Sequence, residues 1–327
     1  MVIAFAFLQL SARPQSAQEQ KQYEEIKTLI QKQHNEAQWQ LWNLTAAIAN
    51  GKPAPLPAIA EAATPAETTY AGISIIAAFN HQNDTHMRGA KRKVEYKSIQ
   101  SWHESVKKYP EIHGIVFNTM YDESDIKLYT TDHIEFINVD FNSAAYLRGA
   151  NQSLNNQRFY VIEDYLDKRV EAEAAKASGQ DEELEYILLT DAQDVTFHRN
   201  PFKFMAEMDK LTQGTHHLFV GSEFEPWKDG LRWQNNNWKR CFRKPFLYRE
   251  VLNAGIIGGH RSIVIPLVKE MNRRMMVANH TVCDQAVMQQ IAMEWYEERI
   301  ITGYPWNSRF KKEQRAEDDT LAYIRHK

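Results

Sequence analysis

The feature that most constrains the fold is an apolar run that stops at two acidic residues. Residues 186–189 (Tyr-Ile-Leu-Leu) are followed by Thr190, Asp191 and, three residues further on, Asp194. A short, uninterrupted apolar run is typical of a buried strand. Carboxylates at its end are costly to bury unless their charge has a partner. The run therefore predicts a buried strand with a ligand-binding or cation-binding site at its carboxyl end.

Strand and helix patterns alternate from residue 70 onward. The predicted strands cover 73–79, 115–117, 134–139, 186–189, 217–221 and 250–259, and the predicted helices cover 95–108, 155–170, 260–277 and 283–296. Residues 171–183 are predicted to form a solvated surface excursion. This alternation predicts an α/β, Rossmann-like, mostly parallel sheet with helices on both faces. Ligands bind such sheets at the carboxyl ends of the strands.

The first 69 residues lack this alternation of strand and helix patterns. Residues 2–10 are apolar but reach only about half of the roughly 20 residues that span a bilayer. We expect a secretory signal or a truncated membrane anchor in 1–14, with a frayed N-terminus as the alternative. Apolar spacings of three, four and seven predict a helical stalk over 15–51 that self-associates, or a helix packed on the same domain. A Pro/Ala-rich linker, 52–69, precedes the main domain, 70–327.

Composition narrows the function classes. The chain has 327 residues, a formal charge of −3 and 43% hydrophobic residues. This near-neutral balance gives no electrostatic footprint for a nucleic-acid partner. Two cysteines, Cys241 and Cys283, form either one disulfide or two buried thiols. Four Asn-x-Ser/Thr sequons favour the secretory pathway, with a Golgi lumen or membrane location, and the cytoplasm is the alternative.

The two acids suit a hard divalent cation. Residues three apart on a continuing strand would diverge, so a turn after Asp191 must bring Asp191 and Asp194 together. Paired carboxylates repel each other and raise one pKa, and a cation such as Mn²⁺ or Mg²⁺ removes that penalty. The alternative is one capping aspartate and one solvated aspartate.

Two further segments carry polar residues beside glycines or at a helix start. In 251–259, Asn253-Ala254-Gly255 and Gly258-Gly259 allow close approach of a ligand or another backbone, or form a tight turn at the end of a strand. Asp284-Gln285 begins the helix 283–296. An acid is favoured there by the helix dipole, so capping alone also explains Asp284.

Arg158 and Trp306 are candidates of a different kind. Arg158 lies near a helix start, where the dipole does not favour a cation, so we expect a phosphate or acidic partner, or a surface salt bridge. Trp306 is able to stack on a sugar ring, with Arg309, Lys311 or Lys312 facing phosphate. The alternative for Trp306 is a core tryptophan beside a basic surface.

Three segments, in this order, resemble the motifs of nucleotide-sugar glycosyltransferases of the GT-A fold. They are LLTDAQDVTFHRNPF (188–202), NAGIIGG (253–259) and CDQAVMQQI (283–291). The resemblance covers about residues 70–312. It implies transfer of a hexosyl or pentosyl unit from a nucleotide diphospho-sugar donor to a glycan or glycoprotein acceptor. It also implies that Asp194 is a ligand of Mn²⁺ or Mg²⁺, and that Asp191 binds the metal or the donor ribose.

The resemblance implies roles for the remaining candidates. The nucleotide-binding set is Asn80, Asp84, Arg158 and Asp191. The set that lines the sugar and acceptor site is Asn253, Ala254, Gly255, Gly258, Gly259, Gln285 and Trp306. Asp284 contacts the acceptor or the donor sugar and acts as base if the enzyme inverts. The segment 304–310 stands where the family has a metal-binding histidine and contains none. Coordination is therefore expected to rest on Asp194, the diphosphate and waters, or the metal is expected to be weakly held.

Two other functions fit parts of the sequence. A nucleotidyltransferase of related fold would show a glycine-rich basic loop after the first strand. Residues 79–93 contain one glycine, although Arg88, Lys91 and Arg92 are basic. The third hypothesis is a non-catalytic binding or scaffold protein whose function resides in the helical stalk.

Overall fold

A computed structural model describes residues 72–80, 95–175, 185–223, 230–244, 251–278, 280–308 and 321–326. These residues all belong to the unit Glu67–Lys327. The expected signal or anchor, the stalk and the linker lie outside the described residues. Within the described ranges, no helix combines the length and apolarity needed to cross a membrane.

The described residues form nine strands and eight α-helices. The strands are β1 (Gly72–Ala78), β2 (Ile112–Asn118), β3 (Ile134–Asn138), β4 (Tyr186–Thr190), β5 (Val195–Phe197), β6 (Leu218–Glu223), β7 (Val251–His260), β8 (Ile300–Thr302) and β9 (Ile324–His326). The helices are α1 (Gln100–Val106), α2 (Glu123–Tyr129), α3 (Ala144–Arg148), α4 (Leu154–Ala175), α5 (Pro201–Leu211), α6 (Gly230–Phe242), α7 (Arg261–Val277) and α8 (Asp284–Trp295).

Seven strands form one sheet in the order β3-β2-β1-β4-β7-β6-β8, and β5 pairs with β9. All pairs in the large sheet are parallel except those that involve β7, which runs antiparallel to β4 and β6. Thr190, the last residue of β4, pairs with Ile256. The first half of β7 therefore extends past the carboxyl end of β4.

Both faces of β4 are covered. Ile187 and Leu189 belong to a core that includes residues of α4, α7 and α8, while Tyr186 and Leu188 belong to a second core with residues of α1 and α5. This double burial is the physical reason for the uninterrupted apolar run in β4. The predicted α/β class, with a mostly parallel sheet between helices, is confirmed.

The structure differs from the sequence prediction beyond β4. The predicted turn after Asp191 is present at 192–194, and it leads into the short strand β5 and then α5. Asn200 caps α5 by accepting hydrogen bonds from the backbone N–H groups of Phe202 and Lys203. Helix α4 continues to Ala175, so the start of the predicted excursion 171–183 is helical. Amphipathic periodicity is weak at this highly charged end, which explains the error.

Cys241 and Cys283 form a disulfide with a Cα–Cα distance of 5.8 Å. The alternative of two buried thiols is therefore wrong. The bond joins α6 to the residue immediately before α8, and so restrains the helix start that carries Asp284.

Candidate active site

Arg158 joins two acids that lie 93 residues apart in the sequence (Asp191 and Asp284). It lies in the first turns of α4 and donates from Nη1 to Oδ1 of Asp191. Its Nη2 is 3.4 Å from both Oδ2 of Asp284 and the carbonyl oxygen of Ala254. The predicted acidic partner of Arg158 is thus present twice, and the charge of Asp191 is balanced by a protein cation.

Burial strengthens the interactions between the charges of this cluster. The side chains of Arg158 and Asp284 are 13% and 10% exposed, against 36% for Asp191. Burial raises the pKa of Asp284, and Asp191 raises it further, whereas Arg158 lowers it. Burial lowers the pKa of Arg158, but the charges of Asp191 and Asp284 outweigh this effect and raise it. Arg158 therefore remains a fixed cation between two carboxylates.

Asn156 explains how α4 and α8 meet. It is fully buried, and its Oδ1 accepts hydrogen bonds from the backbone N–H groups of Cys283 (3.1 Å) and Asp284 (3.0 Å). The side chain of Cys283 supplies no cap, so a residue of α4 satisfies the N-terminal donors of α8. Asn156 and Arg158 together dock the start of α4 on the start of α8.

The early part of β7 completes the site next to Asp191. The N–H of Asp191 donates to the carbonyl of Gly255 (2.9 Å), and the N–H of Gly255 donates to Oδ1 of Asn253 (2.6 Å). A Cβ added at Gly255 would lie 2.6 Å from Oδ2 of Asp191 and 2.7 Å from Oδ1 of Asn253. A side chain at position 255 would displace these polar groups, so glycine lets the backbone of β7 lie against Asp191. The role of Asn253, Ala254 and Gly255 in binding a sugar stays a prediction.

His326 was missed by the sequence analysis, which sought a histidine in 304–310. It is fully buried in β9, opposite Val195, the residue that follows Asp194. Its Cε1 would lie 2.8 Å from a Cβ added at Gly255. A histidine therefore lies beside Gly255, outside the segment 304–310. Nothing local marked His326, because β9 follows a long segment without a recognisable pattern.

Glu223 was also missed. It is the last residue of β6, and its Oε1 accepts hydrogen bonds from Nδ2 of Asn253 (2.9 Å) and Nε2 of Gln285 (3.0 Å). The signal that identified Asp191, an acid at the carboxyl end of an apolar strand, was present here as well. Glu223 lies two residues beyond the predicted strand 217–221, which is why it was not considered.

The donor atoms near Gly255 suit a divalent cation in part. Oδ2 of Asp191 and Oδ1 of Asn253 border the space over Gly255, Cε1 of His326 lies against the same space, and Asp194 precedes the strand that pairs with β9. Carboxylate and carbonyl oxygens are ligands that Mn²⁺ and Mg²⁺ accept. In the described ranges, no group of three or more His, Cys, Asp or Glu side chains is arranged as a metal cage. Asp191 and Asp194 would thus supply part of a coordination shell, to be completed by a ligand and waters.

Gly258 and Gly259 do not lie in this cluster. They pair with Leu188 and Ile187, towards the amino end of β4. A Cβ at Gly258 would lie 2.6 Å from the methyl carbon of Met205, and Gly259 has a φ of 149°. The prediction that they line the sugar site is wrong: Gly258 makes room for α5, and Gly259 provides a conformation that other residues rarely adopt.

Trp306 is a core residue. It is fully buried, and its ring stacks on Phe204 with centroids 5.8 Å apart and packs against Phe219. The prediction that it stacks on a sugar is wrong, and the alternative of a core tryptophan is correct. Tryptophan is compatible with both settings, so the sequence did not separate them.

A substitution tests this reassignment. Trp306→Ala should lower the free energy of unfolding by about 3–5 kcal/mol, because it leaves a large cavity in the core. Chemical denaturation measures this change, and the exposed Trp295→Ala is the matched control. Loss of ligand affinity at unchanged stability would contradict the core assignment.

Some of the remaining candidate residues lie within the described ranges, and others lie outside them. Asn80 follows β1 at the same edge of the sheet, and its N–H donates to Oγ1 of Thr119 (2.9 Å). Gln285 lies in the first turn of α8, beside Asp284. Asp84 and the basic residues Arg309, Lys311 and Lys312 lie outside the described residues. Their predicted contacts with nucleotide or phosphate stay predictions.

The fold and site together define an α/β protein with a buried cluster of acids, amides and one arginine at the carboxyl edge of its sheet. No family model matches the chain, and no curated protein matches it. Among solved structures, it is similar to a glycosyltransferase involved in the glycosylation of the major capsid of PBCV-1. The two share 13% sequence identity with a TM-score of 0.37, over 78% of this chain and 92% of the other.

Proposed function

We propose that this protein transfers a glycosyl group from a nucleotide diphospho-sugar to a glycan or protein acceptor. The observation that carries the proposal is Arg158, buried between Asp191 and Asp284 at the carboxyl edge of the sheet. Amides and carboxylates around one fixed guanidinium present alternating donors and acceptors. Sugar hydroxyls, which both donate and accept, match such a surface.

A divalent cation, Mn²⁺ or Mg²⁺, is part of the proposal. Asp194 and Oδ2 of Asp191 would hold it, with the donor diphosphate and waters as further ligands. When bound, it would neutralise the charge that develops on the departing diphosphate. Asp191 would thus face the metal with one oxygen and Arg158 with the other.

The protein side chains would position the reactants. Arg158 holds the carboxylate of Asp284 in one place, so that Asp284 orients a sugar hydroxyl and serves as base if the configuration is inverted. Asn253 and Gln285 contribute amide groups from the two neighbouring elements. Burial of this cluster excludes water, which limits hydrolysis of the donor.

Asp194→Ala tests the metal assignment. We expect it to abolish metal-dependent donor hydrolysis and transfer while the melting temperature stays within a few degrees of wild type, because Asp194 lies in a partly exposed turn. Donor hydrolysis with and without Mn²⁺, screened over common nucleotide sugars, measures it. Asp132→Ala, an exposed aspartate before β3, is the control. Normal turnover in Asp194→Ala would sink the metal assignment.

The same screen separates the alternative functions. A glycosyltransferase releases a nucleoside diphosphate and sugar, whereas a nucleotidyltransferase releases pyrophosphate from a nucleoside triphosphate. A scaffold protein would show no metal-dependent thermal stabilisation by UDP or GDP. The Cys241–Cys283 bond supports the proposed secretory location, because disulfides persist mainly in oxidising compartments.

A further inference from the structure

Glu223 connects two elements that carry the proposed sugar-binding amides. It lies at the end of β6 opposite Val251, and one oxygen of its carboxylate binds Asn253 on β7 and Gln285 on α8. Asn253 and Gln285 are only 7% and 8% exposed. Two amide N–H groups that share a carboxylate oxygen make charge-assisted hydrogen bonds, which are stronger than neutral ones.

This carboxylate determines which way the amide of Asn253 faces. An Asn side chain presents oxygen on one branch and nitrogen on the other, and only its partners distinguish them. A carboxylate accepts and never donates when ionised, so Glu223 selects the nitrogen of Asn253. The N–H of Gly255 selects the oxygen from the other side (2.6 Å). The amide of Asn253 is therefore held in one orientation by partners at both ends.

The same argument applies to Gln285. Glu223 binds its Nε2, so the carbonyl oxygen lies on the opposite branch of the amide. Gln285 is adjacent to Asp284, whose carboxylate is held by Arg158 from the α4 side. The first turn of α8 is thus restrained by α4 at Asp284 and by β6 at Gln285.

We propose that Glu223 is a positioning residue: it fixes the donor and acceptor pattern that Asn253 and Gln285 present to sugar hydroxyls, and it acts through these two amides. The inference rests on the proposed function, because it requires the two amides to contact a sugar. Without Glu223, both side chains gain rotamers, and the amide of Asn253 is restrained at one end only.

A pair of substitutions tests the role. Glu223→Ala removes both hydrogen bonds, and we expect kcat to fall about 30- to 100-fold, since a misplacement of about 1 Å costs that order of rate. KM for the nucleotide donor should change by less than about threefold, because diphosphate binding does not involve this residue. Glu223→Gln retains an oxygen that accepts both bonds, so kcat should stay within about fivefold of wild type.

Each opposite outcome overturns the proposal. Equal losses in Glu223→Gln and Glu223→Ala would mean that the negative charge itself acts on the substrate. Unchanged kcat in Glu223→Ala would mean that the amides need no support. Glu171→Ala, on the exposed second half of α4, is the control for a lost glutamate.

A second measurement needs no turnover. The side-chain NH₂ resonances of Asn253 and Gln285, assigned with Asn253→Asp and Gln285→Glu, should shift in Glu223→Ala and stay in place in Glu171→Ala. Resonances that do not move in Glu223→Ala would contradict the positioning role. If wild-type protein turns over no nucleotide sugar, the proposed function fails, whereas the NMR result still decides whether Glu223 orients the two amides.

Discussion

Arg158→Met should both destabilise the protein and abolish glycosyl transfer. The substitution keeps most of the side-chain volume but leaves Asp191 and Asp284 close together without their shared cation. Removing one partner of a buried ion pair typically costs about 3–5 kcal/mol, and we expect the lower end because the carboxylate of Asp191 is 36% exposed. Transfer should fall at least about 10³-fold, since the cluster loses its charge balance.

The destabilisation should depend on pH in a defined direction. Burial and Asp191 raise the pKa of Asp284, and Arg158 opposes them. In Arg158→Met that opposition is gone, so the folded-state pKa of Asp284 rises further above its unfolded value. A carboxyl with a raised pKa costs stability when ionised, and the cost disappears as pH falls through the folded pKa. The deficit of the variant relative to wild type should therefore be larger at about pH 7.5 than at about pH 5.

Urea unfolding at these two pH values measures the effect. The matched control is Arg273→Met, which removes an exposed ion pair with Glu270 and should change stability by less than about 1 kcal/mol. The double variant Arg158→Met/Asp284→Asn should regain part of the lost stability, because one unpaired carboxylate is removed. A double variant no more stable than Arg158→Met would contradict the charge-balance explanation.

Asp284→Asn should separate activity from stability. The amide keeps the shape of the side chain and an oxygen for Arg158, but it neither accepts a proton nor carries charge. We expect kcat to fall by about 10²–10⁴-fold, the range for a lost acid–base or orienting carboxylate, with nucleotide affinity unchanged. Stability should equal or exceed that of wild type, because burial penalises the ionised form of Asp284. Initial rates and thermal melts on the same preparation measure both.

Asp209→Asn is a control for which we expect the opposite result to that of Asp284→Asn. Asp209, on α5, is also buried; it accepts a hydrogen bond from Tyr186, the first residue of β4, and pairs with His216 and His217. Burial raises the pKa of Asp209, but the hydrogen bonds with His217 and His216 outweigh this and lower it. Its amide variant should therefore be less stable but retain kcat per folded molecule. If Asp284→Asn behaves like Asp209→Asn, then Asp284 is structural.

The sequence was sufficient to predict the strand β4 and some of the residues of the candidate site. The apolar run 186–189 was enough to predict a buried strand. The acids that follow it indicated where that strand ends. Arg158 was expected to have a phosphate or acidic partner, or a surface salt bridge, and the structure supplies the acids Asp191 and Asp284. These inferences succeeded because each rests on a local conflict, a charge in an unfavourable place, that the fold must resolve.

Local patterns failed where the outcome depended on distant chain segments. Gly258 and Gly259 share a motif with Gly255, yet the antiparallel direction of β7 carries them away from the acids. Trp306 suited a sugar or a core equally well. Glu223 and His326 join the site only because β6 and β9 bring them beside β7 and β5.

The sequence by itself determined the α/β class and the position of a polar site at the end of β4, because hydrophobic periodicity and the cost of buried charge act over a few residues. The tertiary structure alone decided the partners: Arg158 between Asp191 and Asp284, Glu223 between Asn253 and Gln285, and His326 over Gly255. These contacts join residues 30 to 126 positions apart, through strand order and helix docking. No local pattern encodes such distances.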